Sequence, residues 1–192
     1  RRQRQMCIRD RRCTVCGDCA SACPAAALEV IGRQWSPDGL MSELLKDRVF
    51  YETSGGGVTF SGGEPMMQAP FLAEVLTLCK EAGIHVALDT CGIAPWVQYE
   101  RILSFVDMVL LDIKIADVGR HVRTTGVDNT LIFANARLIA EAGKPMWIRT
   151  PVIPGYTDDG DNIRAIGQFI HDSLPTLERW DLLAYTNLGR PK

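Results

Sequence analysis

Twice in this chain the tripeptide Glu-Ala-Gly closes a helical pattern and passes directly into an apolar run: residues 81–83 before Ile84–Leu88, and residues 141–143 before Met146–Arg149. Glycine just past the last helical turn is the commonest helix stop, and a short β-rich run behind it reads as a strand. A joint used twice points to a repeating helix–strand unit. The spacing predicts strands at Val58–Phe60, Ile84–Leu88, Met108–Leu111, Met146–Arg149 and Asp181–Tyr185. It predicts helices at Ser36–Val49, Pro70–Ala82, Pro95–Phe105, Asn129–Ala142 and Asp161–Ile170. Ser36-Pro37 supplies an N-cap followed by proline at the first helical position, and Leu72, Val75, Leu76 and Cys79 fall on one face of the second helix.

Strands alternating with helices imply a parallel sheet with right-handed crossovers, an α/β fold. Five units are too few to close an eight-fold barrel, and no G-x-G-x-x-G follows a first strand as a dinucleotide-binding sheet would require. The polar residues decide the arrangement. Gly62-Gly63-Glu64, Asp89-Thr90, Asp112-Ile113-Lys114, Arg149 and Thr186-Asn187 each stand at or just after the C-terminal end of a strand. In a curved parallel sheet those ends converge on one rim, so these residues are expected to line a single cavity.

The rim has a readable chemistry. Gly62 and Gly63 permit close backbone approach, Glu64 offers a carboxylate to an ammonium group, and Lys114 and Arg149 offer cations to a carboxylate. Together they describe a receptor for an α-amino acid moiety. Taken singly, each has a plainer reading: a Gly-Gly turn is often only a turn, Asp89-Thr90 can cap a helix, and Lys114 and Arg149 can be solvated. Cys79 reads as core packing and Cys91 as a lining or structural residue.

A second feature stands at the N-terminal side. Cys13, Cys16, Cys19 and Cys23-Pro24 follow C-x2-C-x2-C-x3-C-P spacing, the bacterial run that holds [4Fe–4S] clusters, with the fourth thiolate serving a second cluster. Zinc is the competing metal, but its knuckles are usually far apart and rich in His, whereas the three His residues here lie well downstream. A disulfide framework would need a secretory context, and no signal peptide is evident. Residues 1–12 carry six Arg against one Asp, leaving residues 13–192 with 15 basic and 22 acidic side chains. An Arg-rich arm can contact nucleic acid or a membrane; the reading preferred here is a disordered or non-native end, with no role for Cys7. The acidic remainder argues against a nucleic-acid partner, and no apolar run is long enough to span a membrane.

Four segments carry a more specific likeness: 54–68 (SGGGVTFSGGEPMMQ), Asp89-Thr90-Cys91-Gly92, Leu110-Leu111-Asp112-Ile113-Lys114, and 148–159 (IRTPVIPGYTDD). They resemble the activating enzymes of glycyl-radical enzymes, members of the radical S-adenosylmethionine superfamily, and the resemblance runs over residues 13–188. It implies an incomplete parallel (β/α)6 partial barrel at 36–192 (strands 2 to 6), preceded at 13–35 by the second half of a truncated ferredoxin-like [4Fe–4S] insertion. It implies reductive cleavage of S-adenosylmethionine to a 5′-deoxyadenosyl radical, which takes hydrogen from a backbone glycine of a partner glycyl-radical enzyme. By the same resemblance Gly62, Gly63 and Glu64 meet the methionyl amino group, Lys114 and Arg149 its carboxylate, and Asp112, Ile113 and Thr186 belong to the same cofactor site. Asp89, Thr90 and Asp112 resemble a monovalent-cation site. Cys13, Cys16 and Cys19 would hold one auxiliary cluster and Cys23 another.

The chain departs from that family pattern in two places. It has no C-x3-C-x2-C to hold the catalytic cluster, since Cys16, Cys19 and Cys23 run x2 then x3. The expectation is a fragment, inactive alone, with that segment lying upstream. Thr186 stands where many relatives have His. The resemblance further implies reduced flavodoxin or ferredoxin as electron donor, a monomer, and an anaerobic cytoplasm. Two other classes stay open: a ferredoxin-type electron carrier, and a radical enzyme acting on a small molecule.

Overall fold

The computed structural model describes residues 16–30 and 32–185, in two compact units, Arg1–Ser36 and Pro37–Lys192. The expectations placed on residues 1–12, Cys13 and Thr186 lie outside the described residues. In the first unit Gly17, at φ 83°, opens one helical turn, α1 (Asp18–Ser21), which carries Cys19. Among its described residues there is no strand.

The second unit is the repeating α/β body. After α2 (Pro37–Leu44) and α3 (Arg48–Ser54) come β1 (Gly57–Phe60), α4 (Ala69–Glu81), β2 (His85–Thr90), α5 (Trp96–Ile102), β3 (Met108–Asp112), α6 (Val118–Thr125), α7 (Thr130–Glu141), β4 (Met146–Val152), α8 (Gly160–Ser173) and β5 (Arg179–Ala184). The five strands are all parallel and lie in sequence order, β1-β2-β3-β4-β5. Right-handed crossovers that always step in one direction put every crossover helix on the same face of the sheet, as in a barrel. A doubly wound sheet would reverse the order at a switch point, and this one does not.

The twin Glu-Ala-Gly joints are built alike. Gly83 and Gly143 both stand at φ 68°. Gly83 N–H bonds Lys80 O and Ile84 N–H reaches back to Cys79 O, while Gly143 N–H bonds Ala140 O and Lys144 N–H reaches Ile139 O. This pair of bonds is the Schellman closure, which satisfies the last carbonyls of each helix. Each joint delivers an apolar strand to the core, where Val75, Leu76 and Cys79 of α4 meet Val86 and Leu88 of β2, Val109 and Leu111 of β3, and Ile148 of β4, all at 0% exposure. Side chains of this size are worth about 1.5–3 kcal/mol each when fully buried, so this seam holds the sheet to its helices.

Two expectations need adjustment. The predicted 36–49 helix is α2 and α3 joined by a 3-10 turn (Leu45–Asp47), continuing to Ser54. Helix α6 was not foreseen, because Val-Gly-Arg-His-Val-Arg-Thr-Thr is rich in poor helix formers. It forms because Asp117 Oδ1 accepts the Arg120 N–H at 2.7 Å and Gly126, at φ 87°, closes it.

Candidate functional site

The strand ends do meet. Ser61, Gly62, Gly63, Glu64, Asp89, Thr90, Cys91, Asp112, Lys114 and Arg149 line one cleft of about 380 Å³ at the C-terminal edge of β1–β4. A smaller cleft of about 280 Å³ lies at the opposite ends of β1 and β2, lined by Arg48, Tyr51, Glu52 and His85 among others. Its Arg48 is already paired with Glu52.

Gly62 turns the chain out of β1 at φ 111°, a conformation that only glycine adopts without strain, and space is open beside both Gly62 and Gly63. The turn brings Glu64 down onto the ends of β2. Its carboxylate accepts three hydrogen bonds: from Met66 N–H at 3.1 Å, from Thr90 Oγ1–H at 2.7 Å and from Cys91 N–H at 2.7 Å. A carboxylate has about four lone-pair sites, so one remains, for which a ligand would compete with the Cys91 thiol. Thr90 is buried and also contacts Tyr99 Oη at 2.8 Å and Gly92 N–H at 3.1 Å.

Opposite Glu64 stands a second charged group. The β3–β4 register sets Asp112 directly beside Arg149. The guanidinium lies between two acids, bonding Asp112 Oδ1 through Nε (3.0 Å) and Nη2 (2.8 Å) and Asp89 Oδ1 through Nη2. Lys114 Nζ bonds the other Asp112 oxygen at 3.2 Å. Burial of Arg149 opposes its charge, but Asp112 and Asp89 outweigh that and hold its pKa above the ordinary arginine value. The two N–H groups of Arg149 Nη1 are not used in these bonds, and two of the three Lys114 protons remain. Burial first, then a hydrogen bond to Glu64, pushes the Cys91 thiol up to about 11. It is therefore a neutral lining group and not a nucleophile.

Sequence reasoning missed how the rim loops are held. Asn135 of α7, 1% exposed, donates to Gly92 O (2.7 Å) and Ala94 O (2.8 Å) of the loop after β2. Asn162 of α8 donates to Lys114 O (3.0 Å) and accepts from Ala116 N–H (2.9 Å), and Asn129 donates to Ile115 O (2.7 Å), so the loop after β3 is clamped from both sides. Helical Asn reads as a surface residue in sequence; a buried one at 3.6-residue spacing with Ile132, Ala136 and Ile139 is the only signal that could have flagged Asn135.

In the first unit Cys16 and Cys19 are exposed free thiols and Cys23 is half-buried. Backbone hydrogen bonds, that from Ala27 first, lower the Cys23 thiol pKa, which favours the thiolate a cluster needs. Among the described residues no three Cys, His, Asp or Glu side chains form a metal-holding group.

The radical SAM superfamily model matches residues 11–165, four-fifths of the chain. The chain belongs to that superfamily. This radical SAM chain is 40% identical, over a 220-residue alignment covering 98% of it and 72% of the relative, to the trans-4-hydroxy-L-proline dehydratase activating enzyme of Clostridioides difficile. It is 40% identical over 163 residues, covering 82% of it and 64% of the relative, to the pyruvate formate-lyase-activating enzyme of Staphylococcus aureus (strain USA300). It therefore spans about two thirds of the length of such relatives. The crystal structure of a domain of pyruvate-formate lyase-activating enzyme from Bacteroides vulgatus ATCC 8482 superposes with a TM-score of 0.65 at 36% identity, over 69% of this chain and 82% of that one. The likeness to activating enzymes read from the motifs holds, as does the α/β fold with its partial-barrel relatives. Streptococcus suis SuiB bound to its precursor peptide SuiA matches with a TM-score of 0.66 at 16% identity, over 83% of this chain and 35% of that one, which is a likeness of fold alone. Among the described residues no helix is long and apolar enough to cross a membrane.

Proposed function

We propose that this chain is the cofactor-binding body of an activating enzyme for a glycyl-radical enzyme, and that its cleft holds the methionyl end of S-adenosylmethionine. The observation that carries the reading is the pairing of Glu64, whose fourth lone-pair direction an ammonium can take from the neutral Cys91 thiol, against Arg149 and Lys114, with N–H groups unspent, across one cleft. An ammonium fits the first and a carboxylate the second. The balance of charge supports the sulfonium form. Three acids (Glu64, Asp89, Asp112) against two bases (Lys114, Arg149) leave the lining one charge negative, whereas S-adenosylmethionine is one charge positive. When bound beside a reduced [4Fe–4S] cluster, this group supplies one-electron cleavage of its C5′–S bond to methionine and a 5′-deoxyadenosyl radical, which takes a hydrogen atom from the partner's glycine.

The cleft residues of this chain bind and orient. Gly62 and Gly63 keep side chains out of the ligand's space, Glu64 fixes the amino group, and Arg149 and Lys114 fix the carboxylate; Ile113, assigned to the same site from the sequence motifs, is buried in the core and supports the cleft without lining it, and Thr186, assigned likewise, lies outside the described residues. Asp89 and Asp112 aim Arg149. Asp89, Thr90 and Asp112 do not fit a monovalent cation as they stand: Arg149 fills the space between the two acids, and the Thr90 hydroxyl is engaged on three sides. Cys13, Cys16, Cys19 and Cys23 would hold auxiliary clusters, with reduced flavodoxin or ferredoxin as donor and a monomeric protein in an anaerobic cytoplasm.

Equilibrium dialysis with S-adenosylmethionine tests the cleft. E64A and R149M should each weaken binding by about tenfold or more, the worth of a hydrogen bond to a charged group. S-adenosylhomocysteine, lacking the sulfonium charge, should bind more weakly than S-adenosylmethionine. Wild-type chain that binds neither ligand, or variants that bind like wild type, would refute the assignment. Anaerobic co-expression with a glycyl-radical enzyme, read by the EPR signal of the glycyl radical, tests the activity of the full-length protein.

A further inference from the structure

Tyr99 is 0% exposed, lies on α5, and belongs to none of the strand-end motifs, yet its hydroxyl sits 2.8 Å from Thr90 Oγ1. The donor directions along this contact can be worked out. An ionised carboxylate only accepts, so the bond between Thr90 and Glu64 Oε1 at 2.7 Å must spend the Thr90 hydroxyl proton. The Gly92 N–H, a donor, occupies one lone pair of the same oxygen at 3.1 Å. What is left on Thr90 Oγ1 is one lone pair, so Tyr99 must be the donor. The chain of bonds runs one way: Tyr99 O–H to Thr90 Oγ1, Thr90 O–H to Glu64 Oε1. Each link in such a chain polarises the next, and both hydroxyls are shut away from water that could substitute for either.

We propose that Tyr99 is a positioning residue for Glu64, acting through Thr90 to hold the carboxylate at the angle at which it receives the ligand's ammonium group. The ligand part of this inference rests on the amino-acid reading of the cleft; the relay itself does not. The three donors to Glu64 come from separate pieces of chain: Met66 follows the Gly-Gly turn, Cys91 is in the loop after β2, and Thr90 is the last residue of β2. Two of them are backbone amides on turns. The Thr90 hydroxyl is tied through Tyr99 to α5, as the Cys91 loop is tied to α7 through Asn135, while Met66 is itself buried in the core. Tyr99 thus transmits the rigidity of α5 to the one acid that reads the amino group. The same count explains why Thr90 has no side-chain lone pair to give a cation.

Two measurements decide it. The first needs no ligand: amide hydrogen exchange of the full chain. In Y99F the Met66 and Cys91 amides, which both donate to Glu64, should exchange about five- to tenfold faster, while Val86 N–H, held by Asp107 Oδ2 at 2.8 Å at the far end of β2, stays at the wild-type rate. The second compares S-adenosylmethionine with the analogue in which hydrogen replaces the α-amino group. Y99F should weaken the first by about fivefold, one net hydrogen bond, and leave the second within twofold. T90V, which removes the bond to Glu64 itself, should lose at least as much as Y99F, the double variant should be no worse than T90V alone, and T90S should recover wild-type behaviour. Unchanged Met66 and Cys91 exchange would overturn the relay. Faster exchange with equal loss for both ligands would reduce Tyr99 to a packing residue and overturn the positioning role. Wild-type chain that binds neither ligand would sink the amino-acid reading of the cleft, and the exchange rates would still decide the relay.

Discussion

Replacing Asn135 by Asp keeps the side chain's shape and inverts its hydrogen bonding. In the native chain the buried amide donates to Gly92 O and Ala94 O. A neutral carboxyl at this position can donate once, so one carbonyl is stranded at a cost of about 1–3 kcal/mol. An ionised carboxylate donates to neither and faces two carbonyl oxygens in a site 1% exposed, so its pKa should rise by about 3 units or more from the usual 3.9. The sign follows from linkage. With the folded-state pKa raised, the folded chain holds the proton more tightly than the unfolded one. The deficit is smallest below about pH 4 and grows as pH rises toward the folded pKa. At up to about 1.36 kcal/mol per pH unit, N135D loses about 2–2.7 kcal/mol more than wild type between pH 5 and pH 7, for a total near 5–7 kcal/mol at neutrality. Against a typical stability of about 5–15 kcal/mol that leaves little folded protein. Urea denaturation of wild type, N135D and N135A at pH 5, 6 and 7 is the assay. N135A should cost about 2–5 kcal/mol with no slope in pH. A deficit in N135D below 1 kcal/mol, or one equal at pH 5 and pH 7, would refute the assignment of Asn135 as the clamp of the β2 exit loop.

The other predictions concern the same rim. G92A should cost about 2–5 kcal/mol in denaturant, because Gly92 stands at φ 76° and a Cβ would lie 2.8 Å from Leu111 Cδ1 and 3.3 Å from Ile132 Cγ2. G126A, at φ 87° in open space, should cost only the backbone share of about 1–2 kcal/mol. Cys91, with its thiol pushed up to about 11, should be alkylated more slowly at pH 8 than the exposed Cys16 and Cys19. Because its folded pKa is raised, the stability it contributes is present below about pH 8.5 and is lost as pH rises toward 11, so C91A should flatten that decline in a denaturation series. R149M, which strips the counter-charge from Asp89 and Asp112, should lower stability by about 1–3 kcal/mol, and the double variant R149M/D112N should recover part of it, both read from urea midpoints.

Local signals carried most of the architecture. The Glu-Ala-Gly stops, Ser36-Pro37 and the apolar runs mark the elements to within a few residues, because caps and side-chain period are properties of neighbouring positions. The rim was legible for the same reason: its residues sit at strand ends that can be counted off. What stayed hidden depends on register or on residues far apart. That Arg149 would lie between Asp89 and Asp112 follows only once β4 pairs with β3 at Asp112. Tyr99 is nine positions from Thr90 and on another element, so nothing in its surroundings announces a link to Glu64. Helix α6 was invisible because its stability comes from the Asp117 cap and from packing, not from the propensity of its residues.

The buried asparagines also bear on the order in which the site comes into being during synthesis. Asn129 follows its partners by 13 to 14 residues, but the other two amides belong to helices made much later: Asn135 is 41 to 43 residues beyond the carbonyls it holds, and Asn162 is 46 to 48 residues beyond its own partners. Contacts of that span close only after the intervening chain has collapsed. A ribosome that has released β1 to β3 has therefore exported every acidic rim residue, with Met66, Thr90, Cys91 and Tyr99 there to hold Glu64 but without the asparagines that hold the loops after β2 and β3. The loops that follow Asp89 and Asp112 stay loosely placed until α7 and then α8 arrive. The rim loops are therefore finished late, and a nascent chain has no complete cleft until α8 is docked.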